Sequence, residues 1–303
     1  MKNLLPFVLL FCCFTGKTQN ITARVIDATN SKPLSFAIVV YSQQQKIMYT
    51  DYNGYFTIAA DSIPAADSIF IQYLGFKKFS IALKDMANGL LIKLLPDVQA
   101  LDPVIVSNCR KTETFTLNKN IGRIRQYIGP GPETKLVIMS RYSNNSGRTG
   151  YITHVNILID EKAPNMQVPI RLRWYEWNND TQMPGKELTD TNLLVYPRTK
   201  GWNDFEIPSK TIKCAKDYLV FGLEFIYTPD FQRQFNALQT NTEKLQWLND
   251  MENRWSLSMQ YVKDENETGF YMLNNGRVLR YQKKYDKYFI RPAIKFTIEV
   301  CKE

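Results

Sequence analysis

The chain has 303 residues, 44% hydrophobic and 22% charged, with a formal net charge of +9 and only 14 Gly and 14 Pro. That composition excludes whole-chain disorder, fibrous repeats and low-complexity character, and the length suits about two domains. A single histidine, His154, argues against the triads, zinc centres and proton shuttles that rely on positioned imidazoles.

The first elements form a leader. Lys2, the apolar block Leu4 to Phe14 and the small residues around Gly16 and Thr18 have the order of a secretory signal over residues 1–18, with cleavage expected near Thr18. Lipid attachment at Cys12 or Cys13 is the lesser alternative, because Phe11 and Cys12 precede them where small residues are favoured. No later run is apolar for the roughly 18 residues of a membrane helix, so no transmembrane segment is expected in the mature chain. Removing Lys2 and Lys17 lowers the charge from +9 to +7, still basic. Cys109, Cys214 and Cys301 remain, widely spaced and without a C-x-x-C pair, so neither a metal nor any other cofactor is expected. One internal disulfide is possible, and Cys214 with Cys301 is the expected pair, since both lie in or beside strand-like segments.

Short β-prone runs follow: Thr22 to Asp27, Ala37 to Tyr41, Ile47 to Thr50, Tyr55 to Ala59, Ser68 to Tyr73, Lys77 to Leu83 and Leu90 to Leu95. Asp51, Tyr52, Asn53 and Gly54 make a tight reversal in which Gly54 takes positive φ. Val25, Asp27, Pro33, Leu34, Ala37 and Val39, then Thr50, Asp51, Asn53, Gly54 and Phe56, then Ile71, Tyr73, Leu74, Gly75 and Phe76, together resemble the carboxypeptidase-regulatory-like domain. The resemblance implies a prealbumin-like sandwich of about seven strands over residues 19–106, of the kind that precedes the plug of TonB-dependent outer-membrane transporters in Bacteroidota-type bacteria. Leu101 to Val106 is similar to the run that ends this domain, with Pro103 departing from the pattern. The family implies an accessory domain without peptidase chemistry, and one histidine cannot supply a zinc carboxypeptidase site. The remaining chain, about 200 residues, is too short for a transporter barrel.

Residues 107–133 read as a basic linker, with Arg110, Lys111, Lys119, Arg123 and Arg125 before a Gly-Pro-Gly-Pro turn that lacks the lysine and hydroxyl of a phosphate loop. Residues 134–303 read as a second β domain, with strands at Lys135 to Ser140, Ile152 to Ile159, Ile170 to Trp177, Trp202 to Ile207, Tyr218 to Tyr227 and Phe289 to Val300. Gln234 to Trp255 predicts one amphipathic helix whose stripe includes Phe235, Leu238, Leu245, Leu248 and Met251. Asn275-Gly276 marks a hairpin between Phe270 to Leu273 and Arg277 to Tyr281. The stretch Arg171 to Trp177, with Pro184 to Leu188, Gly201, Trp202 and Phe221 to Tyr227, is similar to a jelly-roll-type domain found behind the regulatory-like domain in Bacteroidota envelope proteins.

Alternation places Arg171, Arg173, Tyr175 and Trp177 on one face, a candidate binding surface that Trp202 would join. The competing reading puts Trp174 and Trp202 in the core and leaves the arginines solvated. Arg277, Arg280, Lys283, Lys284 and Lys287, continuing to Arg291 and Lys295 among Tyr281, Tyr285, Tyr288 and Phe289, form a basic surface that suits an acidic partner or headgroup or is simply the outer face of strands. Export argues against nucleic acid. Glu224, inside an apolar strand, calls for a partner arginine. His154 reads as structural, and Asn178, Asn179 and Asp180 as a turn more than a calcium site.

These features add up to an exported, periplasmic, outer-membrane-associated or surface protein that is not an enzyme. Its expected role is to bind an envelope or outer-membrane protein complex. The alternative is a carbohydrate-binding module using Tyr175, Trp177 or Trp202, and an unrecognised hydrolase comes third. The fold class is mainly β: a prealbumin-like sandwich followed by a jelly-roll-type sandwich with one inserted amphipathic helix.

Overall fold

The computed structural model describes residues 20–41, 47–59, 64, 67–97, 111–128, 137–159, 169–189, 191–254, 257–263, 269–272, 278–280 and 289–302. The leader, its cleavage site, Leu101 to Val106 and the Gly-Pro-Gly-Pro turn lie outside these residues. Seven strands open the described chain, each close to an expected run: β1 (Asn20–Asp27), β2 (Ile38–Tyr41), β3 (Ile47–Tyr49), β4 (Tyr55–Ala59), β5 (Ser68–Gln72), β6 (Phe79–Ala82) and β7 (Leu90–Leu94). They make a three-stranded sheet, β4-β1-β7, and a four-stranded sheet, β3-β2-β5-β6. Alternation buries Ala23, Val25, Val39, Phe56, Ile58, Ile69, Ile71, Ile92 and Leu94 in one core between them.

The reversal before β4 is built as its residues predict. Asp51 Oδ1 accepts from the backbone N–H groups of Asn53 and Tyr55, both at 2.8 Å. Gly54 sits at φ +78°, and a Cβ there would collide with the Val25 carbonyl oxygen. Buried Thr50 ties this turn to the 34–37 segment: its hydroxyl donates to the Leu34 carbonyl at 2.7 Å and accepts from Ala37 N–H at 2.8 Å. Phe36 between them is held at φ 60°, which is uncommon for a residue with a side chain.

The rest of the chain forms a larger two-sheet sandwich. Its elements are β8 (Thr112–Leu117), β9 (Ile124–Ile128), β10 (Val137–Ser143), β11 (Gly150–Ile159), β12 (Ile170–Asn178), β13 (Met183–Glu187), β14 (Leu193–Val195), β15 (Gly201–Glu206), β16 (Lys213–Cys214), β17 (Tyr218–Phe225), helices α1 (Pro229–Ala237) and α2 (Asn241–Arg254), then β18 (Leu257–Val262), β19 (Gly269–Met272), β20 (Val278–Arg280), β21 (Phe289–Pro292) and β22 (Ile294–Cys301). One sheet of seven strands runs β13-β12-β17-β10-β19-β20 with β14 also on β12; the other, of eight, runs β21-β18-β11-β22-β8, with β15 and β16 also on β11 and β9 on β18. Trp174 packs on its strand neighbour Phe221 at 4.9 Å, and rings interlock across the gap from there, Phe221 on Phe296 at 5.1 Å and Phe296 on Tyr142 at 5.0 Å, all edge to face.

Three expectations are corrected here. The stretch read as a basic linker supplies β8 and β9, and β8 pairs with β22 over the whole register from Leu117↔Phe296 to Thr112↔Cys301. The apolar members of Glu113-Thr114-Phe115-Thr116-Leu117 recur every second residue, and that alternation outweighs the basic residues around it. The expected single helix is two. Thr240 and Glu243 form a capping box: Glu243 Oε2 accepts from Thr240 N–H at 2.9 Å and Thr240 Oγ1 accepts from Glu243 N–H at 3.1 Å, so a new helix starts and the old one has already stopped. Leu245, placed on the expected apolar stripe, is 61% exposed, while Phe231, Phe235 and Trp247 hold the pair to the sandwich. The expected strand Phe289 to Val300 is broken at Ala293, where Pro292 has no N–H and the chain passes from pairing with β18 to pairing with β11. Across from it, β19 and β20 pair antiparallel from Met272↔Val278, as the Asn275-Gly276 hairpin predicts, although the turn itself lies outside the described residues. No helix among the described residues is long and apolar enough to cross a membrane.

Candidate functional site

The seven-stranded sheet brings Arg171, Arg173, Tyr175 and Trp177 to its outer face, as alternation requires, and pairs Arg171 with Glu224 in register across β12 and β17. That face is covered. Arg171 is 3% and Glu224 4% exposed. Arg171 Nη1 meets Glu224 Oε2 at 3.1 Å and Arg173 Nη1 meets the same oxygen at 3.2 Å, while Arg173 also pairs with Glu187. The cover comes from the N-terminal sandwich: Arg171 Nη2 donates to the Phe36 carbonyl at 2.7 Å and Tyr49 Oη donates to Glu224 Oε1 at 3.0 Å. Asn192, which accepts from Arg171 Nε at 2.6 Å, donates in turn to Tyr73 Oη at 2.8 Å. Phe36 and Tyr49 thereby join the hydrophobic core of the second sandwich.

The electrostatics follow from this closure. Burial opposes ionisation of Glu224, yet the charges of Arg171 and Arg173 outweigh it and hold its carboxyl below the ordinary range. Burial and the neighbouring Glu224 charge push the Tyr49 hydroxyl well up, so Tyr49 stays a donor. Tyr175 is 4% exposed and its hydroxyl is pushed up by burial. Trp177 is half-buried beneath the Arg141 guanidinium, which lies 4.3 Å from its ring and 4.2 Å from that of Tyr218. Arg171 is thus enclosed and committed to holding the two sandwiches together, so neither outcome expected of the arginines, an open ligand surface or solvation, describes it, while Tyr175 is buried among Val137, Met139 and Val220 of its own sheet.

A second surface, on the eight-stranded sheet, is open. On β15, Trp202, Asp204 and Glu206 are exposed and Asn203 is buried, with Trp202 at 38% exposure. Trp174 fills the core as the competing reading expects, and Trp202 does not. Trp202 faces Leu158 in the β11 register, and Lys295 of β22 places its ammonium 4.2 Å from the indole centroid. A cleft of about 500 Å³ runs beside it, walled by Tyr196, Arg198, Thr199, Asn203, Asp204 and Glu206. Buried Asn203 fixes the loop that closes this cleft: its Oδ1 accepts from the N–H groups of Arg198 (3.0 Å) and Thr199 (3.2 Å), and its Nδ2 donates to the Thr199 carbonyl at 2.7 Å. Tyr196, 37% exposed, is pushed up to about 12 by burial and by Tyr52, whose hydroxyl meets it from the turn of the N-terminal sandwich. The cleft therefore offers two accessible rings flanked by two carboxylates and a guanidinium. Trp202 was identified from sequence; Tyr196, Arg198, Asp204 and Glu206 were not, since they sit on a loop and an edge strand without any motif.

The remaining candidates divide. Arg277, Lys283, Lys284 and Lys287 lie outside the described residues; Arg280 is half-buried and donates to the Gln182 carbonyl at 3.0 Å. Glu224 has the arginine partners its burial requires. His154 stands opposite Glu206 and Thr297 in the sheet, its Nδ1 at 3.3 Å from Thr153 Oγ1. Asn178 makes a turn, accepting from the N–H groups of Asp180 and Thr181. Among the described residues no three His, Cys, Asp or Glu side chains gather as metal ligands. The expected Cys214 to Cys301 disulfide is overturned: Cys301 is disulfide-bonded and Cys214 is a free buried thiol, pushed up to about 12 by burial. Cys214 pairs with Gly150 of β11 while Cys301 ends β22 opposite Thr112, so the two lie on different strand partners.

No curated protein matches the chain. Among solved structures it is similar to the cysteine protease and lectin-like domains of Cwp84, a surface-layer-associated protein of Clostridium difficile, at 9% identity and TM-score 0.36, covering 88% of this chain and 59% of that one. The chain thus spans under two thirds of the Cwp84 structure. It is also similar to a Bacteroides uniformis protein described as carbohydrate-binding (9% identity, TM-score 0.23, 95% of this chain and 100% of that one). A further likeness is to carbohydrate-binding modules of the β-sandwich superfamily (10% identity, TM-score 0.16, 69% and 92%). The seven-strand N-terminal sandwich, with its Asp51 to Gly54 turn, is matched by a family model over residues 21–106, and the chain carries there a CarboxypepD_reg-like domain.

Proposed function

We propose that this is an exported, non-enzymatic envelope protein that binds carbohydrate in the cleft between Tyr196 and Trp202. The observation that carries the reading is the exposed Trp202 indole beside an open cleft of about 500 Å³ walled by Asp204, Glu206 and Arg198. A sugar ring presents C–H groups that pack on an aromatic face and hydroxyls that bond to carboxylate and guanidinium groups, so this combination suits it. Binding is preferred to imidazole-dependent turnover because His154 lies on the sheet beside Thr153 and is not among the residues that line the cleft.

Glycan-array screening of the full mature chain tests the reading. The expected result is a defined set of glycan hits lost in Trp202→Ala and in Asp204→Ala, with the thermal transition unchanged. An array without hits, or hits unaffected by both substitutions, would sink it.

A second reading, a component of an outer-membrane protein complex, is supported by the CarboxypepD_reg-like domain at residues 21–106. Affinity purification from crosslinked envelopes discriminates: reproducible recovery of one complex, surviving Trp202→Ala, favours the protein partner.

A further inference from the structure

A second concavity, sharing no residue with the Trp202 cleft, lies where β8 at the edge of the eight-stranded sheet meets the end of β10. Its volume is about 370 Å³, the size range of small-ligand sites. At its base the Arg291 guanidinium lies 4.6 Å from the ring centroid of buried Tyr142. Arg291 is buried and fixed: Nη1 donates to the Arg141 carbonyl at 3.2 Å and Nη2 to Asn118 Oδ1 at 2.8 Å. Asn118 is held at φ 56° and its Nδ2 donates to the Ile294 carbonyl, so the turn after β8 is anchored to β22.

The rim is different in kind. Lys119, Asn120 and Asn145 are exposed there, and no hydrogen bond or ion pair holds their side chains among the described residues. The described lining contains two cations, Lys119 and Arg291, several amides and hydroxyls, and no carboxylate. A concave wall carrying one sign of charge concentrates its field inward, and amide and ammonium donors at the mouth add hydrogen bonds to an oxyanion.

The geometry points to a binding site for a small hydroxylated oxyanion, a sugar acid or sugar phosphate of monosaccharide size. The anionic group sits between Lys119 and the Arg291 end, Asn120 and Asn145 bond ring hydroxyls, and half-buried Phe115 supplies an apolar wall. The site stands independently of the Trp202 cleft.

Titrating the mature protein with glucuronate, glucose 6-phosphate and glucose, followed by NMR chemical shifts, tests this. At least one acid is expected to bind about 10-fold or more tighter than glucose. The acid that binds identifies the source of the charge, carboxylate or phosphate. Because Arg291 is buried, its removal risks unfolding, so the deciding variants are at the rim: Lys119→Glu and Asn145→Asp are expected to weaken the acid about 10-fold or more with the thermal transition unchanged, and Trp202→Ala to leave it unaffected. Equal binding of glucose and both acids, no shifts with either acid at about 20 mM, or unaltered binding in Lys119→Glu would overturn the assignment.

Discussion

The two sheets of the larger sandwich share one core and each turns an outer face carrying cations and aromatic rings away from it, yet the two faces have opposite fates. On the seven-stranded sheet, Arg171 and Glu224 are sealed beneath Phe36 and Tyr49 of the N-terminal sandwich, with half-buried Arg173 bonded to the same carboxylate. On the eight-stranded sheet, Trp202, Asp204, Glu206 and Lys295 stay in contact with solvent. The difference shows that residue type does not mark a binding surface in this protein; what lies over the sheet does. Charged groups on the closed face have surrendered hydration and must satisfy one another, so their role is to fix two sandwiches as one body. Equivalent groups on the open face keep their valences for something outside.

The comparison can be broken most forcefully at Glu224. Glu224→Gln leaves Arg171 without its buried counter-charge, while Arg173 keeps Glu187, and a loss of about 3–5 kcal/mol in denaturant unfolding is expected, together with faster proteolysis between the sandwiches. Tyr49→Phe removes only the hydroxyl donated to that carboxylate, with an expected cost of about 1.5–3 kcal/mol by the same measurement.

Acid sharpens the contrast further. The Glu224 carboxyl is held below its unfolded value, so the unfolded chain takes up the proton first; its contribution is complete above the ordinary carboxylate range and is lost as pH falls through the lowered folded value. Stability measured from neutral pH into acid should therefore fall less steeply in Glu224→Gln than in the parent. Asp27 and Glu243, also lowered through hydrogen bonds, leave part of the slope in place. Smallest in stability is Trp202→Ala on the open face, expected within about 0.5 kcal/mol while abolishing glycan binding.

Much of the local structure was legible in the chain. Period-two alternation located the seven N-terminal strands and the face of β12, and Asp51-Asn53-Gly54 announced its turn, because these depend on interactions within a few residues. The capping signals Thr228-Pro229 and Thr240-x-x-Glu243 were equally local and mark where α1 and α2 begin, but the apolar spacing from Phe235 to Leu248 masked the break between them. The strand character of Thr112–Leu117 was outweighed in the same way by nearby basic residues.

The sequence by itself determined a β chain in two sandwiches, a buried glutamate in need of arginine, and a cluster of arginines and rings near residue 174. Tertiary structure alone decided that Phe36 and Tyr49 close over Arg171, that Trp202 stands in the open, and that Tyr196 and Asp204 share its cleft. The physical reason is range: alternation and turn chemistry act between near neighbours, whereas exposure depends on partners some 135 residues away, as Phe36 is from Arg171, whose approach no local pattern records.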